Sequence, residues 1–370
     1  MIKHPYKSNT DKRMVHVNHK YFAYVSNSID GDIGCYELLK SGELQLLTRV
    51  KAGNKVMPMA MNQKHKLLYS VSRSEPYLLH TYEINPTSGL LTLVDEIPLI
   101  DNFAYVSLDK TEKNIFFASY GSNLISTNFV KSNGHVDQQP KEIFQVGKNA
   151  HAILIDHSNR FVFTPTLGSD EIYQFIFDEV TGKLIPNDPP LLRAAEASGP
   201  RHLAFSSDNR FLYVLGELSG ALSLLSLDPN TGTLNLISSY SSLPIGSTLK
   251  NSALDSASKE NHKIWASDIH ITPNGNFLYT SERTNSTLTC MAVDKQTGRL
   301  SYSSSIETEK QPRGFAIDPS GSFLIATGEL SNTISSYQID PNTGDLKHIG
   351  KFPGGNGSNW VEIIKCAQTH

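Results

Sequence analysis

His151, Arg201 and Arg313 each lie ten residues before the start of a strand-like segment, with Ser267 at the same place in a fourth. Arg73, Glu217, Arg283 and Glu329 each lie six residues after such a start. Those residue types carry definite chemistry. Histidine titrates near neutrality and can move a proton. A guanidinium offers a planar fork to a carboxylate or phosphate. A glutamate can act as a base or neutralise an arginine, and both readings of Glu217 stay open. If one fold gathers these groups on one axis, they form a polar mouth that binds an anion and moves a proton. The plainer account is that loops are polar because they face water, and that a histidine such as His151 is satisfied by its neighbours.

What could gather them is a repeat. Seven segments are anchored at Phe22, Leu67, Ile115, Phe161, Phe211, Phe277 and Phe323. Each is followed by a turn glycine at Gly42, Gly89, Gly134, Gly182, Gly232, Gly298 and Gly344, at 19 to 22 residues. Anchors recur about every 46 residues, with one step of 66. Short strands at that period are the signature of propeller blades. The expected fold is therefore all-β, a seven-bladed β-propeller with four-stranded antiparallel blades. In the clearest unit, Leu203-Ala204-Phe205 reads as the innermost strand and Phe211 to Leu215 as the second. Ala221 to Leu227 reads as the third and Leu234 to Tyr240 as the outermost. Asp228-Pro229-Asn230-Thr231-Gly232 supplies turn chemistry, and near-copies start at Asn85, Asp178, Asp294 and Asp340.

In such a blade the entry to the innermost strand and the connection from second to third strand share a face, and these are the two positions named above. Asp268 and Trp265 flank an inner strand there and could line a pocket. His202 and His270 lie inside strands, where packing or hydrogen bonding competes with binding. His4, His16, His19, His65, His80, His135, His157, His262, His348 and His370 have no such position and read as surface. Phe22 reads as a second strand, so the first blade lacks its inner one. Asn359 to Ile364 has the inner-strand pattern and is expected to close the ring, in preference to Met14 to Val17. Residues 1–18 read as an N-terminal extension and 19–370 as one propeller domain. The long step holds an insertion at about residues 246–262 on the entry face, either over the mouth or as a plain surface loop.

Composition narrows the classes further. A net charge of −3 gives no electrostatic case for nucleic acid. No apolar run reaches membrane-span length, and the N-terminus lacks a secretory signal's apolar core, so a cytoplasmic location is expected. Cys35, Cys290 and Cys366 are too few and too scattered for a zinc site and read as free thiols. No phosphate-cradling glycine loop, nucleophile elbow or calcium ladder is present. No metal or cofactor is called for.

The stretch from Ile264 to Ile339, with DIHITP and QPRGF, resembles the bacterial 6-phosphogluconolactonases of the seven-bladed propeller type. Ser198 to Leu203, Val56 to Met59 and Gly357 to Val361 resemble the same family, over roughly residues 20–365. The N-terminal residues and the insertion look longer than the family's. Tyr105 stands where those proteins tend to have histidine, which puts that blade's pocket contact in doubt. The resemblance implies hydrolysis of a small phosphorylated sugar lactone, the second step of the oxidative pentose phosphate pathway, by a monomer or weak homo-oligomer. It also implies a catalytic set of His151, Arg201, Glu217 and Arg283, with either His151 or Glu217 as base. Arg313 would grip phosphate, and Arg73, His202, Asp268, His270 and Glu329 would contact substrate. The alternatives are a lactonising enzyme related to carboxymuconate cyclases and a non-enzymatic propeller scaffold.

Overall fold

The computed structural model describes residues 19–254 and 262–367. These form seven four-stranded antiparallel sheets. The fifth blade runs outward through Pro200–Phe205, Phe211–Gly216, Ala221–Leu227 and Leu234–Ser241. Its last turn is held as the sequence suggests: Asp228 Oδ1 accepts the Asn230 and Thr231 backbone N–H groups at 2.7 and 3.1 Å. Asn85, Asp178, Asp294 and Asp340 accept in the same way.

The anchor-to-glycine spacing turns out to describe the seam between blades. Each turn glycine sits against the anchor of the preceding blade. A Cβ added to Gly89 would come within 2.2 Å of the Phe22 ring, and one on Gly232 within 2.1 Å of Phe161. Two residues past the anchor, a tyrosine often crosses the same seam. Tyr24 Oη donates to the Gly89 carbonyl at 3.0 Å, Tyr213 to Gly298 at 2.8 Å and Tyr279 to Gly344 at 2.7 Å. The hydrophobic core is accordingly a set of clusters between blades; one joins Phe22 and Tyr24 to Met59, Leu68 and Tyr82. Gly89 combines this contact with a φ of +72°, which glycine alone adopts freely. Gly89→Ala is therefore expected to destabilise by about 1–3 kcal/mol. Gly121→Ala, whose Cβ would meet nothing within 4 Å, should cost less. Urea midpoints of the two variants check this, and equal midpoints would contradict it.

The seam also corrects one anchor. The Gly182 position in the fourth blade faces Phe129 and Asn114, so the third blade's anchor is Asn114 and not Ile115. The register agrees: Leu108 pairs with Ile115 as Phe205 pairs with Leu212. Six residues after the true anchor stands Tyr120.

Ring closure follows the expected route. Ser358–Ala367 pairs antiparallel with His19–Asn27, from His19 opposite Ala367 to Asn27 opposite Ser358. The rival segment, Met14 to Val17, lies outside the described residues, as does the rest of the N-terminal extension. Of the insertion, residues 246–254 and 262 are described. Its two stems run together, with Lys250 bridged to Lys263, and Ser252 N donates to the Leu218 carbonyl at 2.9 Å. That contact sets the stem beside the second-to-third strand connection of the fifth blade. The cover that the middle of the insertion was to provide lies outside the described residues. All three cysteines are free and buried. His80 is not a surface residue: it is buried at 4% exposure on a third strand, beside Glu96 at 3.1 Å.

Candidate active site

Inner strands in five blades carry a register shift near the mouth. It falls at Met57-Pro58, Ala104, Arg201, Ser267-Asp268 and Asn359. A bulge re-aims the side chain it carries. In the fifth blade it sends Arg201 toward the second-to-third strand connection, where Glu217 waits.

Glu217 is the hub of the mouth. Its Oε2 accepts from Arg201 Nε at 2.7 Å and lies 2.8 Å from Arg283 Nη2. Its Oε1 accepts from Trp265 Nε1 at 3.2 Å. Arg283 lies over the Trp265 ring, 3.7 Å from its centre, and donates to the Trp265 and Ala266 carbonyls. Arg201 also donates from Nη1 to the Ser267 carbonyl. Arg201, Glu217 and Arg283 are all buried. Burial alone would raise the Glu217 carboxyl, but Arg283, Arg201 and Arg313 outweigh it and hold it below its ordinary value. Burial and the charges of Arg283 and Arg313 push Arg201 down to about 9, which leaves it charged at neutral pH.

His151 is buried too, and its Nδ1 has no hydrogen-bond partner among the described residues. Tyr120 packs against its ring edge-on at 5.6 Å between centres, and His202 at 5.2 Å. Burial, reinforced by Arg201, His202 and Arg313, holds the imidazole well below its ordinary pKa. A ring kept neutral at physiological pH is in the form that can accept a proton. Tyr120 is a mouth residue that the sequence reading missed; the misplaced anchor pointed one residue beyond it. Trp265, expected only to line the pocket, ties Glu217 to Arg283.

Arg313 and Glu329 meet loosely, at 3.8 Å, while Glu329 accepts from Gln311 Nε2 at 2.6 Å. Arg73 donates from Nε to Asn102 Oδ1 at 2.6 Å. All four expected arginine positions are thus on this face.

His202, Asp268 and His270 lie elsewhere. They line an axial cavity of about 520 Å³ below the mouth, together with Tyr105, Trp360 and Glu362. At its other end the cavity reaches Lys110 and His157, in the turns that leave the inner strands on the opposite face. His202 Nδ1 is 2.7 Å from Asp268 Oδ1, and His270 Nε2 is 3.1 Å from Asp268 Oδ2. Burial would raise Asp268, but His270 and His202 hold it well below the carboxylate range. The ionised carboxylate accepts a hydrogen bond from the Nδ1–H of His202, and Nε2 is left buried without a partner among the described residues. Tyr105 keeps its place in the cavity by edge contacts with His202 and Trp360, at 5.1 and 5.4 Å. Glu362, which no sequence argument singled out, accepts from Trp360 Nε1 at 3.0 Å, and burial raises it to about 7. Its signal was available: it stands at the inner-strand position that His270 holds in the sixth blade.

These histidines make an acid-stability prediction. Burial, with Arg201, depresses His202 to about 3, and His151 shifts the same way. Below pH 6.5 the unfolded chain binds protons that the native state refuses, so stability falls as the pH drops from 6.5 toward the folded values. His270, which Asp268 raises against burial, and Glu362, which burial raises to about 7, oppose this, because each binds its proton more readily in the folded state. His202 alone contributes a loss on the order of 2 kcal/mol by pH 5. Urea midpoints of wild type and His202→Gln at pH 7.5 and 5 test it: the variant should lose less stability, or gain more, on acidification than wild type, and the same change in both would refute it.

Residues 19–363 match the family model for the lactonase 7-bladed beta-propeller. Similar proteins include a 6-phosphogluconolactonase of Serratia proteamaculans, 34% identical over 93% of this chain and 99% of that one. Another is the 6-phosphogluconolactonase of Yersinia enterocolitica, 31% identical over 93% and 98%. Among solved structures, the periplasmic gluconolactonase of Pseudomonas aeruginosa superposes with a TM-score of 0.82 at 22% identity, over 93% of this chain and 99% of that one. A Lactobacillus plantarum protein does so with a TM-score of 0.82 at 21% identity, over 94% and 100%. At those identities the structural likeness speaks for the fold alone. The family match spans nearly the whole described ring, and relatives above 30% identity share it from end to end: the chain belongs to the seven-bladed β-propeller lactonases.

Proposed function

We propose that this chain hydrolyses 6-phospho-D-glucono-1,5-lactone to 6-phospho-D-gluconate, as a cytoplasmic carboxylic ester hydrolase of the oxidative pentose phosphate pathway. The observation that carries the reading is the His151 imidazole, kept neutral by burial and by the charges of the Arg201–Glu217–Arg283 hub whose mouth it shares. The names of the Serratia and Yersinia relatives support the choice of substrate.

In this reading His151 takes a proton from water as the water oxygen bonds to the lactone carbonyl carbon. Arg201 and Arg283 stabilise the oxyanion that develops, in a buried setting where a fixed charge acts strongly. The bond from the carbonyl carbon to the ring oxygen then breaks. The ring oxygen takes the proton from His151 and leaves as a hydroxyl. The carboxylic acid product loses its own proton to solvent. Glu217 is assigned a holding role, since both of its oxygens are already engaged. The sequence had left the choice between His151 and Glu217 open.

The test is an assay in which the phosphorylated lactone is generated in situ and its loss followed with and without protein. Unphosphorylated glucono-1,5-lactone is run in parallel. Faster loss of the phosphorylated lactone supports the reading. Acceleration of the unphosphorylated lactone alone would move the substrate to a plain aldonolactone. No acceleration of either would overturn the reading and favour a lactonising enzyme or a binding propeller.

A further inference from the structure

The mouth carries more positive than negative charge. Arg73, Arg201, Arg283 and Arg313 face Glu217 and Glu329, and Glu217 is committed to Arg201, Arg283 and Trp265. Glu329 spends one oxygen on Gln311 and stands 3.8 Å from Arg313 Nε with the other, too far for a hydrogen bond. Arg313 Nε is buried with no hydrogen-bond partner. Arg73 touches no carboxylate among the described residues. Its Nε is turned by Asn102 Oδ1 and its Nη1 approaches Met57 Sδ at 3.3 Å. Asn102 is itself held, its backbone N–H donating to Asp101 Oδ1 at 2.7 Å.

Arg313 enters the inner strand of the seventh blade and Arg73 follows the second strand of the second blade, so they hold mouth positions on either side of the first blade. Burial, and then the like charge of Arg313, lower Arg73 to about 10. Between them the first blade offers only Ser28 and Asn359 at the two mouth positions. Both are short and engaged with the Gly357 carbonyl, at 3.0 and 2.8 Å. The hub belongs to the fifth and sixth blades, so the ring order sets Arg313, in the seventh, between the hub and Arg73. Glu329 at 3.8 Å and Asp101 offset these charges in part, but neither guanidinium hydrogen-bonds a carboxylate, so an anion between them would gain charge-assisted hydrogen bonds. Two forked donors suit the several oxygens of a phosphate monoester.

We propose that Arg73 and Arg313 form a phosphate subsite, distinct from the Arg201–Glu217–Arg283 hub, which makes the enzyme select phosphorylated over unphosphorylated sugar lactones. The proposal rests on the lactonase reading above for its substrate, and for its place on two guanidiniums of the mouth that hydrogen-bond no carboxylate among the described residues.

The experiment compares wild type with Arg73→Met, Arg313→Met and Arg73→Lys on 6-phosphogluconolactone and glucono-1,5-lactone. Circular dichroism and Tm establish that each variant is folded. The ratio of kcat/KM for the phosphorylated to the unphosphorylated lactone is expected to fall about 30- to 1000-fold in the methionine variants, the range for losing one partner of a buried charged contact. Arg73→Lys should restore part of it. Inorganic phosphate should inhibit the wild type competitively, and Arg73→Met much less. A ratio unchanged in both methionine variants, with both lactones slowed alike, would overturn the proposal. A wild type inert to both lactones would sink the reaction assigned here. The subsite would then stand if inorganic phosphate raises the Tm of wild type and not of Arg73→Met, and fall if it raises neither or both.

Discussion

Replacing His151 with asparagine is expected to lower kcat on 6-phosphogluconolactone by about 10²- to 10⁴-fold, the usual contribution of a general base. Asparagine keeps a polar side chain of similar reach in a buried position and cannot accept a proton. The urea midpoint should therefore move far less than the rate does. The pH profile gives a second reading. His151 is held well below its ordinary value by burial and by Arg201, His202 and Arg313. A base is active when deprotonated, so kcat/KM should stay level as the pH falls through 6.5 and decline only in more acid solution. An acid limb centred at 6.5 would show an imidazole in an ordinary environment, against the burial seen here. A His151→Asn enzyme within a few-fold of wild type would remove the residue from the mechanism.

Glu217→Gln should produce the other large effect, and of a different kind. Glutamine preserves the shape and a hydrogen-bond acceptor for Trp265, but it deletes the charge between Arg201 and Arg283. Breaking a buried ion pair by removing one partner typically costs about 3–5 kcal/mol, because the remaining charge is left uncompensated. Here two guanidiniums are left, at 1% and 4% exposure. The expected result is a fall of that size in unfolding free energy together with a collapse of kcat, as Arg201 and Arg283 lose their fixed positions. Denaturant unfolding and kinetics on one preparation separate the possibilities. If Glu217 were the base, kcat would collapse with stability nearly intact. That pattern would return the base to Glu217 and leave His151 a structural role.

The repeat was legible because each of its causes is local. Asp228 caps its own turn through backbone groups two and three residues away, and Gly232 permits the turn to close. Such signals recur wherever the turn recurs. The one failure of the arithmetic has the same origin. Ile115 and Asn114 are adjacent, and an aliphatic residue looked like the better anchor. Only the seam, where the Gly182 turn meets Asn114, reveals which residue holds the position. That single-residue slip hid Tyr120. His80 was read as surface because nothing in its neighbourhood announces that this face of a third strand is covered from the preceding blade, where Gly53 lies against its ring.

The catalytic candidates were legible for a related reason. In a closed ring, repeat position is equivalent to spatial position, so residues far apart in sequence could be ranked by arithmetic. Arg201, Glu217, Arg283 and Arg313 were found that way. Their division of labour was not. Glu217 as hub depends on Arg283 and Trp265 arriving from the next blade, at 2.8 and 3.2 Å. His202, Asp268 and His270 were grouped with the mouth. They lie in the axial cavity: His202 and His270 come after the bulges on their inner strands, and Asp268, within its own bulge, is turned to the two imidazoles.

By itself, the sequence determined the fold class, the blade count, the closing strand and which loop positions share one face of the ring. Turn chemistry and alternation act over a few residues, and the period repeats them. Only the tertiary structure decided which charges neutralise one another, which imidazole nitrogen is left free, and which residues face the mouth or the axis. Those outcomes depend on distances across blade seams and on how much water each group loses, and both are set only when the ring is closed.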